Sequence, residues 1–299
     1  LMLALALVAG CGAGNQAPVT GERVAAAQPP RVYAVNSPLA WMAATMGGDL
    51  VDVQFPLPAD VDPAFWQPTA ADILPWQQAD LVLRNGAGYA AWIDYASLPR
   101  ARVADTSRAF VDRLLPMQDA TPHTHGPEGE HSHGPLAFTI WLDFELAALQ
   151  ADAIYQQLLL LRGDQAAELA QGYGRVLQRL AEWDMRLLEL APALQERTLF
   201  YSHPVYQYFS SRYGLPGSSL HWEPDADPGE AQWRHLERHL QAAQSPLMVW
   251  EGEPLGSVRK RLHQLGVEVV VVEPAGGVSA RGFAEQMDAN LVRLSELVR

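Results

Sequence analysis

The first part of the chain alternates between short hydrophobic runs and stretches with helical periodicity. RVYAVN, which begins at Arg31, predicts a strand, PLAWMAATMGG predicts a helix that ends at glycines, and VDVQFPL predicts a second strand. A further helix, TAADILPWQQA, precedes a strand that enters the glycine-rich turn of DLVLRNGAG. Strands that alternate with helices are typical of a parallel sheet covered by helices.

A long helical pattern follows this alternation, from about Leu142 to Pro192, with a break at residues 162–164. After the break, DQAAELAQGYGRVLQRLAEWDMRLLELA keeps its apolar residues on one face. A helix of this length, roughly 28 residues, spans about 42 Å and can run along two lobes. Strands and helices then alternate again, from RTLFYSH to the last helix, RGFAEQMDANLVRLSELV.

These patterns predict an α/β fold with two lobes, each a mostly parallel sheet covered by helices, joined by one long linking helix. We expect an N-terminal lobe at 31–141, a helical segment that includes the linking helix at 142–192, and a C-terminal lobe at 193–299. The N-terminal lobe carries a histidine-rich loop at 121–135.

The N-terminus reads LMLALALVAGCGAGNQAP, an apolar run that stops at Cys11. About ten apolar residues are too few to span a bilayer, but they suit a secretory signal. The run lacks a basic beginning, so we interpret residues 1–10 as a truncated signal peptide. Val8-Ala9-Gly10-Cys11 is similar to a lipobox, which predicts a lipid anchor on Cys11 and a tether over 11–30. The alternative is a buried helix with an incidental thiol.

Charge and composition narrow the possible partners. The formal net charge is −13, and Lys260 is the only lysine among 299 residues. A phosphate backbone requires clustered basic charge, so we expect no nucleic-acid partner. Hydrophobic residues at 48% and charged residues at 18% are typical of a globular chain. Cys11 is the only cysteine, so no disulfide framework is expected.

Histidine is concentrated in one glycine- and proline-rich stretch, HTHGPEGEHSHGP, which holds four of the nine histidines. We predict that His123, His125, His131 and His133 bind zinc weakly, because a flexible loop loses conformational entropy when it encloses an ion. The alternative interpretation is a solvated linker. The loop is expected to gather or sense zinc and not to be the main site.

Five further stretches carry a resemblance to a known family. They are VDPAFWQPTAADI, ADLVLRNGAGY, the histidine-rich loop before FTIWLD, SHPVYQYFSSRYGL, and VVVVEPAGG ahead of the last helix. In this order the chain, over residues 31 to 299, resembles the metal-binding lipoproteins of zinc and manganese ABC importers that have a rigid linking helix. SHPVYQYF, HWEPD and WEGEP suggest a divergent branch.

The resemblance implies a metal ion between the lobes, held at the strand ends, but two of the family's four ligand positions have changed. Ala64 stands where the family usually has its first histidine, and Thr139 stands where it has its second. His203 matches the third ligand, and Glu273 matches the fourth, usually an aspartate. We therefore expect a degenerate site in which His203 and Glu273 persist.

Replacement ligands are available in two nearby stretches. LHWEPDAD offers His221, Glu223 and Asp225, which an extended segment would place on one side. WEGEP offers Glu251 and Glu253, which could instead cap a helix or pair with arginine. His235 and His239 are four apart in RHLERH and could share a helix face, although we expect an ordinary exposed face there.

The resemblance implies a binding component that delivers a divalent ion, zinc before manganese, to an ABC permease and its ATPase. It would be a monomer, anchored by lipid on the periplasmic or cell-surface side of the membrane, and not an enzyme. The alternatives are a repurposed cleft that holds a ligand other than zinc, and a zinc store or chaperone that works through the histidine-rich loop. A hydrolytic metal site ranks behind these, because the chain has neither a nucleophile elbow nor a His-Glu-x-x-His helix.

Overall fold

The computed structural model describes residues 28–58, 61–117, 123–124, 130–131 and 135–298. The N-terminal lobe contains a four-stranded parallel sheet in the order β2-β1-β3-β4. Its elements are β1 (Arg31–Ala34), α1 (Ser37–Gly47), β2 (Asp52–Gln54), α2 (Ala70–Gln77), β3 (Leu81–Arg84) and β4 (Val103–Asp105). Asn36 begins α1 by accepting a hydrogen bond from the backbone of Leu39.

The C-terminal lobe repeats this architecture with a parallel sheet in the order β10-β9-β7-β8. Its elements are β7 (Leu199–Tyr201), α5 (Gln207–Tyr213), β8 (Gly217–Ser219), α6 (Glu230–Leu240), β9 (Leu247–Trp250), α7 (Gly256–Gln264), β10 (Glu268–Val271) and α8 (Phe283–Leu297). In both lobes the carboxyl ends of neighbouring strands meet at one edge, where parallel α/β sheets bind ligands.

Two long helices, α3 (Phe144–Arg162) and α4 (Ala166–Gln195), lie between the lobes in sequence. The chain reverses at Gly163–Gln165, and Tyr155 of α3 stacks on Tyr173 of α4 with ring centroids 4.5 Å apart. The 30 residues of α4 extend about 45 Å. This helix packs on α1 in the first lobe and on α8 in the second, so it is the linking helix.

One hydrophobic core continues from the first sheet across the long helices into the second lobe, where it includes Leu199 and Val270. A smaller core fills the far side of the C-terminal sheet around Trp222, Trp233 and Trp250. Because the larger core is shared, moving one lobe relative to the other would expose apolar surface that is now buried. The relative position of the lobes is therefore set by packing.

The predicted fold class is confirmed, with two parallel-sheet lobes and a long linking helix. Two strands of the parallel sheets, β4 and β8, were not predicted. β4 and β8 have three residues each, and β8 consists of Gly-Ser-Ser, which has no hydrophobic side chain to signal a strand. The predicted signal peptide, Cys11 and most of the tether lie outside the described residues.

Within the histidine-rich loop, the backbone forms a short antiparallel pair of β5 (His123–Thr124) and β6 (Glu130–His131), in which His123 is the register partner of His131. The other two histidines of the loop, His125 and His133, lie outside the described residues. Across the described parts of the chain, every helix is too short or too polar to cross a membrane.

The close approach of α1 and α4 depends on Gly172. A β-carbon at this position would lie 2.2 Å from the carbonyl oxygen of Met46 and 2.6 Å from its Cα, and backbone cannot rotate away as a side chain can. We expect Gly172→Ala to lower the free energy of unfolding by about 1–3 kcal/mol, as overpacking does. Urea denaturation would measure the change.

Gly174 lies on the same helix and supplies the control, because a β-carbon at this position would have no neighbouring atom within 4 Å. Gly174→Ala should raise stability by up to about 1 kcal/mol through helix propensity alone. If both variants were equally stable, the tight crossing at Gly172 would not limit the packing of α1 on α4.

Candidate metal site

Three side chains converge at the carboxyl ends of three adjacent strands of the C-terminal sheet. His203 follows β7 by two residues, Glu251 follows β9 directly, and Glu223 lies four residues after β8. Since β7 lies between β9 and β8, its histidine is flanked by a carboxylate on either side.

Backbone hydrogen bonds extend the sheet beyond its strands and fix this arrangement. The Trp222 N–H donates to the carbonyl oxygen of Ser202 at 2.6 Å, and the Ser202 N–H donates to Val249 at 2.9 Å. The Glu251 N–H donates to the hydroxyl of Ser202 at 3.4 Å. Ser202, immediately before the histidine, therefore connects both carboxylate-bearing segments to β7.

Each carboxylate is preceded by a buried tryptophan. Trp222 is 1% exposed and Trp250 is 0% exposed, and both belong to the smaller core. Trp222 packs edge-on against Trp233 with ring centroids 4.7 Å apart. The two indole rings are buried on the core side, and the next residue in each segment, Glu223 or Glu251, lies beside His203.

The resulting cluster has the dimensions of a metal site. Nδ1 of His203 lies 3.4 Å from Oε1 of Glu223 and 3.9 Å from Oε1 of Glu251, and one ligand atom from each residue lies within 4.8 Å of the others. Donors about 2.1 Å from a tetrahedral zinc ion are about 3.4 Å apart, so a small closure would bring all three into contact with one ion. His203 itself is 1% exposed.

The electrostatics of the cluster favour a cation. Burial, together with the negative charges of Glu223, Asp62 and Asp225, raises the pKa of the Glu251 carboxyl to about 8. A carboxylate whose charge is disfavoured by desolvation and by like charges is stabilised by a bound proton or by a metal ion. Without metal, Glu251 is therefore protonated at neutral pH.

Asp62 is the residue that sequence reasoning missed. It lines the inter-lobe cavity from the N-terminal lobe, and this cavity of about 460 Å³ also contains His203, Glu251 and Glu273. Oδ1 of Asp62 accepts a hydrogen bond from the Ala64 N–H at 2.8 Å. The signal for it in the sequence is an acidic residue two positions before Ala64, where the family usually has a histidine.

Glu273 lines the same cavity but is held by α8. Gln286 donates to its Oε2 at 3.0 Å, and Arg293 lies 3.5 Å from its Oε1. The resemblance implies a metal ligand at this position, and the structure pairs the carboxylate with an arginine. Glu253 points away from the cluster; its side chain is 70% exposed and pairs with Arg259 at 2.6 Å.

The segment around His221 differs from the predicted one. An extended backbone was expected to align His221, Glu223 and Asp225, but His221 has φ of +54° and the chain turns at residues 224–226. The left-handed residue breaks the alternation of side chains that an extended segment would have. The His221 ring centroid lies 6.0 Å from that of His203, and Asp225 acts on the cluster through its charge.

The two altered family positions have different surroundings. The hydroxyl of Thr139 lines the cavity but donates to the carbonyl oxygen of Val205 at 2.6 Å, so it is a contact between the lobes. Ala64 is buried and lines a separate aromatic groove with Trp66 and Trp92. Neither residue offers the cleft a metal donor.

Fold and site together define a two-lobed α/β binding protein with a histidine–carboxylate cluster beside the cleft between its lobes. The chain belongs to the family described as zinc-uptake complex component A, periplasmic, whose family model matches residues 32–297. The resemblance found in the sequence is thereby confirmed.

Individual relatives are distant. The high-affinity zinc uptake system protein ZnuA of Bacillus subtilis (strain 168) is 23% identical over 261 residues, which cover 83% of this chain and 81% of that protein. The manganese ABC transporter substrate-binding lipoprotein PsaA of Streptococcus anginosus is 23% identical over 230 residues, 75% of this chain and 70% of that protein.

Solved structures show the same fold. The metal-dependent lipoprotein YcdH from Bacillus subtilis superposes with a TM-score of 0.76 at 20% identity, covering 89% of this chain and 98% of that one. The Zn(II)-bound ZnuA-like domain of AdcA from Streptococcus pneumoniae gives a TM-score of 0.74 at 16% identity, covering 90% and 99%.

The raised pKa of Glu251 predicts how the metal-free protein responds to pH. Between the ordinary glutamate pKa of 4.5 and about 8, the folded chain holds a proton on Glu251 that the unfolded chain releases. Stability of the metal-free protein should therefore fall as pH rises through this window, and Glu251→Gln should remove that part of the fall. Thermal unfolding in the presence of a chelator, at intervals from about pH 4.5 to 8.5, would measure it.

Glu253→Gln is the matched control, because that carboxylate is exposed and lies outside the cluster. Its stability profile should follow that of the wild-type protein. A Glu251→Gln variant with an unchanged pH profile would show that Glu251 is ionised in the folded, metal-free protein.

Proposed function

We propose that this protein is the extracytoplasmic substrate-binding component of a metal ABC importer. The protein captures a divalent ion, zinc before manganese, between its lobes and delivers this ion to the permease. The observation that carries the proposal is the convergence of His203, Glu223 and Glu251 at three adjacent strand ends. Family membership and the metal-binding names of the relatives support it.

In this site His203 supplies the imidazole, while Glu223 and Glu251 supply carboxylate oxygens. Asp62 contributes a third acidic group from the opposite lobe. One imidazole with several carboxylates is a harder donor set than several imidazoles, and carboxylate-rich sites also suit Mn²⁺. We therefore expect weaker discrimination between zinc and manganese than a site with three histidines would give.

The role is binding and release, not catalysis. The family is a component of uptake complexes, and the cluster lies beside a cavity between two lobes that share a core, which supports a binding role. The partners are an ABC permease and its ATPase, the working state is a monomer, and the histidine-rich loop gathers zinc through His123, His125, His131 and His133.

Single substitutions in the cluster test the cargo site. We expect His203→Ala, Glu223→Gln and Glu251→Gln each to weaken zinc binding at least about a hundredfold, because loss of even a supporting partner costs ten- to a hundredfold. Asp62→Asn and Glu273→Gln should have smaller effects, since one lies on the opposite lobe and the other is held by Gln286 and Arg293. Calorimetry with a competing chelator would measure the affinities.

Glu253→Gln is again the control and should bind zinc like the wild-type protein. If all three cluster variants fold and retain wild-type affinity, the cluster is not the cargo site. A cleft that binds another ligand would then be the better interpretation.

We also propose that the mature protein is anchored through lipid on Cys11, on the basis of Val8-Ala9-Gly10-Cys11 and the small, polar residues behind it. Cys11→Ala in the full-length secreted chain should move the protein from the membrane fraction to the soluble fraction, because no thiol remains to carry the lipid. Cys11→Ser should behave the same way. A Cys11→Ala variant that stays with the membrane would show a different anchor.

A further inference from the structure

A second group of histidines lies outside the inter-lobe cavity, on helix α6. His235 and His239 are four residues apart, both are exposed, and their ring centroids are 4.5 Å apart. The opposite face of the same helix is fixed in the smaller core by Trp233 and Leu236. The two imidazoles therefore project from a helix that is anchored by its packing.

One ring is already set in a metal-binding tautomer. Nδ1 of His239 lies 2.9 Å from the carbonyl oxygen of His235, and since a carbonyl oxygen only accepts, Nδ1 must carry the proton. The lone pair of the neutral ring is then on Nε2. A hydrogen bond from the other ring nitrogen to a backbone carbonyl is the usual support of a metal-bound histidine.

Both histidines line a cavity of about 700 Å³. Its other walls are the edge strand β8, the serines of α5, and a segment before the histidine-rich loop. Among the described residues that line it, none is a lysine, an arginine, an aspartate or a glutamate; the guanidinium of Arg238, outside this lining, lies 3.4 Å from Nδ1 of His235. Hydroxyl groups and water are the donors that could complete the coordination of an ion held by two imidazoles.

The position of this cavity relates it to the other two histidine groups. Leu115 and Pro116 line it, and Pro116 pairs with Leu136 in an isolated bridge that brackets the histidine-rich segment. On the other side, Pro204 lines this cavity while its neighbours His203 and Val205 line the inter-lobe cavity. The His235–His239 cavity therefore lies between the segment that precedes the histidine-rich loop and the segment that carries His203.

We propose that His235 and His239 form a second, two-imidazole site for a borderline transition-metal dication such as Zn²⁺, separate from the inter-lobe site. Two neutral imidazoles at a spacing of four residues on one helix face are a chelating arrangement, and such ligands select zinc, copper and nickel over magnesium and calcium. With only two protein ligands, the site exchanges its ion readily. Such a site suits temporary capture beside the loop.

The test is zinc titration by calorimetry of the full chain. In His235→Gln/His239→Gln, one weak zinc equivalent should disappear while the tight site remains. In His239→Gln/Gln241→His, the number of histidines is unchanged but the spacing of four is lost, and the same equivalent should disappear. His263→Gln removes an exposed histidine from α7 and should keep every equivalent.

Two further variants separate this proposal from the others. A variant with glutamine at all four loop histidines should retain the weak equivalent of His235 and His239, and His203→Ala should retain it while losing tight binding. The proposal is overturned if the His235→Gln/His239→Gln variant keeps every weak equivalent, if the spacing variant binds like the wild-type protein, or if the loop variant has no weak binding left. Circular dichroism of each variant should match that of the wild-type protein, which checks that the helical fold is retained.

Discussion

The repulsion between carboxylates around one buried imidazole is the constraint on which the site depends. Glu223 and Glu251 lie within 4 Å of Nδ1 of His203, and the charges of Asp62 and Asp225 also act on Glu251. Such a group is unfavourable in the folded protein unless a proton or a cation neutralises it. Burial of the tryptophan before each glutamate in the core holds the two segments, and so the carboxylates, beside His203.

Packing between the lobes explains why the donors are concentrated on one side of the cleft. The lobes share a core and are joined by direct hydrogen bonds, from Thr139 to Val205 and from the indole of Trp141 to Pro274 at 2.7 Å. The hydroxyl of Thr139 makes the first of these two hydrogen bonds. With donors absent at Ala64 and Thr139, the three-residue cluster is built within the C-terminal sheet, whose own hydrogen bonds hold it in place.

The fold could be predicted from the sequence to a large extent, because hydrophobic runs mark most of its strands and helical periodicity marks the segments between them. The missed strands, β4 and β8, are three residues each, and their pairing depends on neighbours distant in sequence. The candidate site was predicted only as a set of possible donors. Glu223 and Glu251 can be selected from that set only when three features of the structure are known. These are the order of β9, β7 and β8, the left-handed backbone of His221, and the pairing of an arginine with Glu253.

Residues 203–206 lie between the inter-lobe cavity and the His235–His239 cavity. His203 and Val205 face the inter-lobe cavity, and Pro204 and Tyr206 face the cavity beside α6. The hydroxyl of Tyr206 donates to Val272 at 2.7 Å, immediately before Glu273, and Val205 accepts from Thr139. One short segment therefore connects the inter-lobe cavity, the contact between lobes and the second cavity. A shift of this segment on metal binding would displace the residues at all three locations, because close-packed interiors transmit displacements.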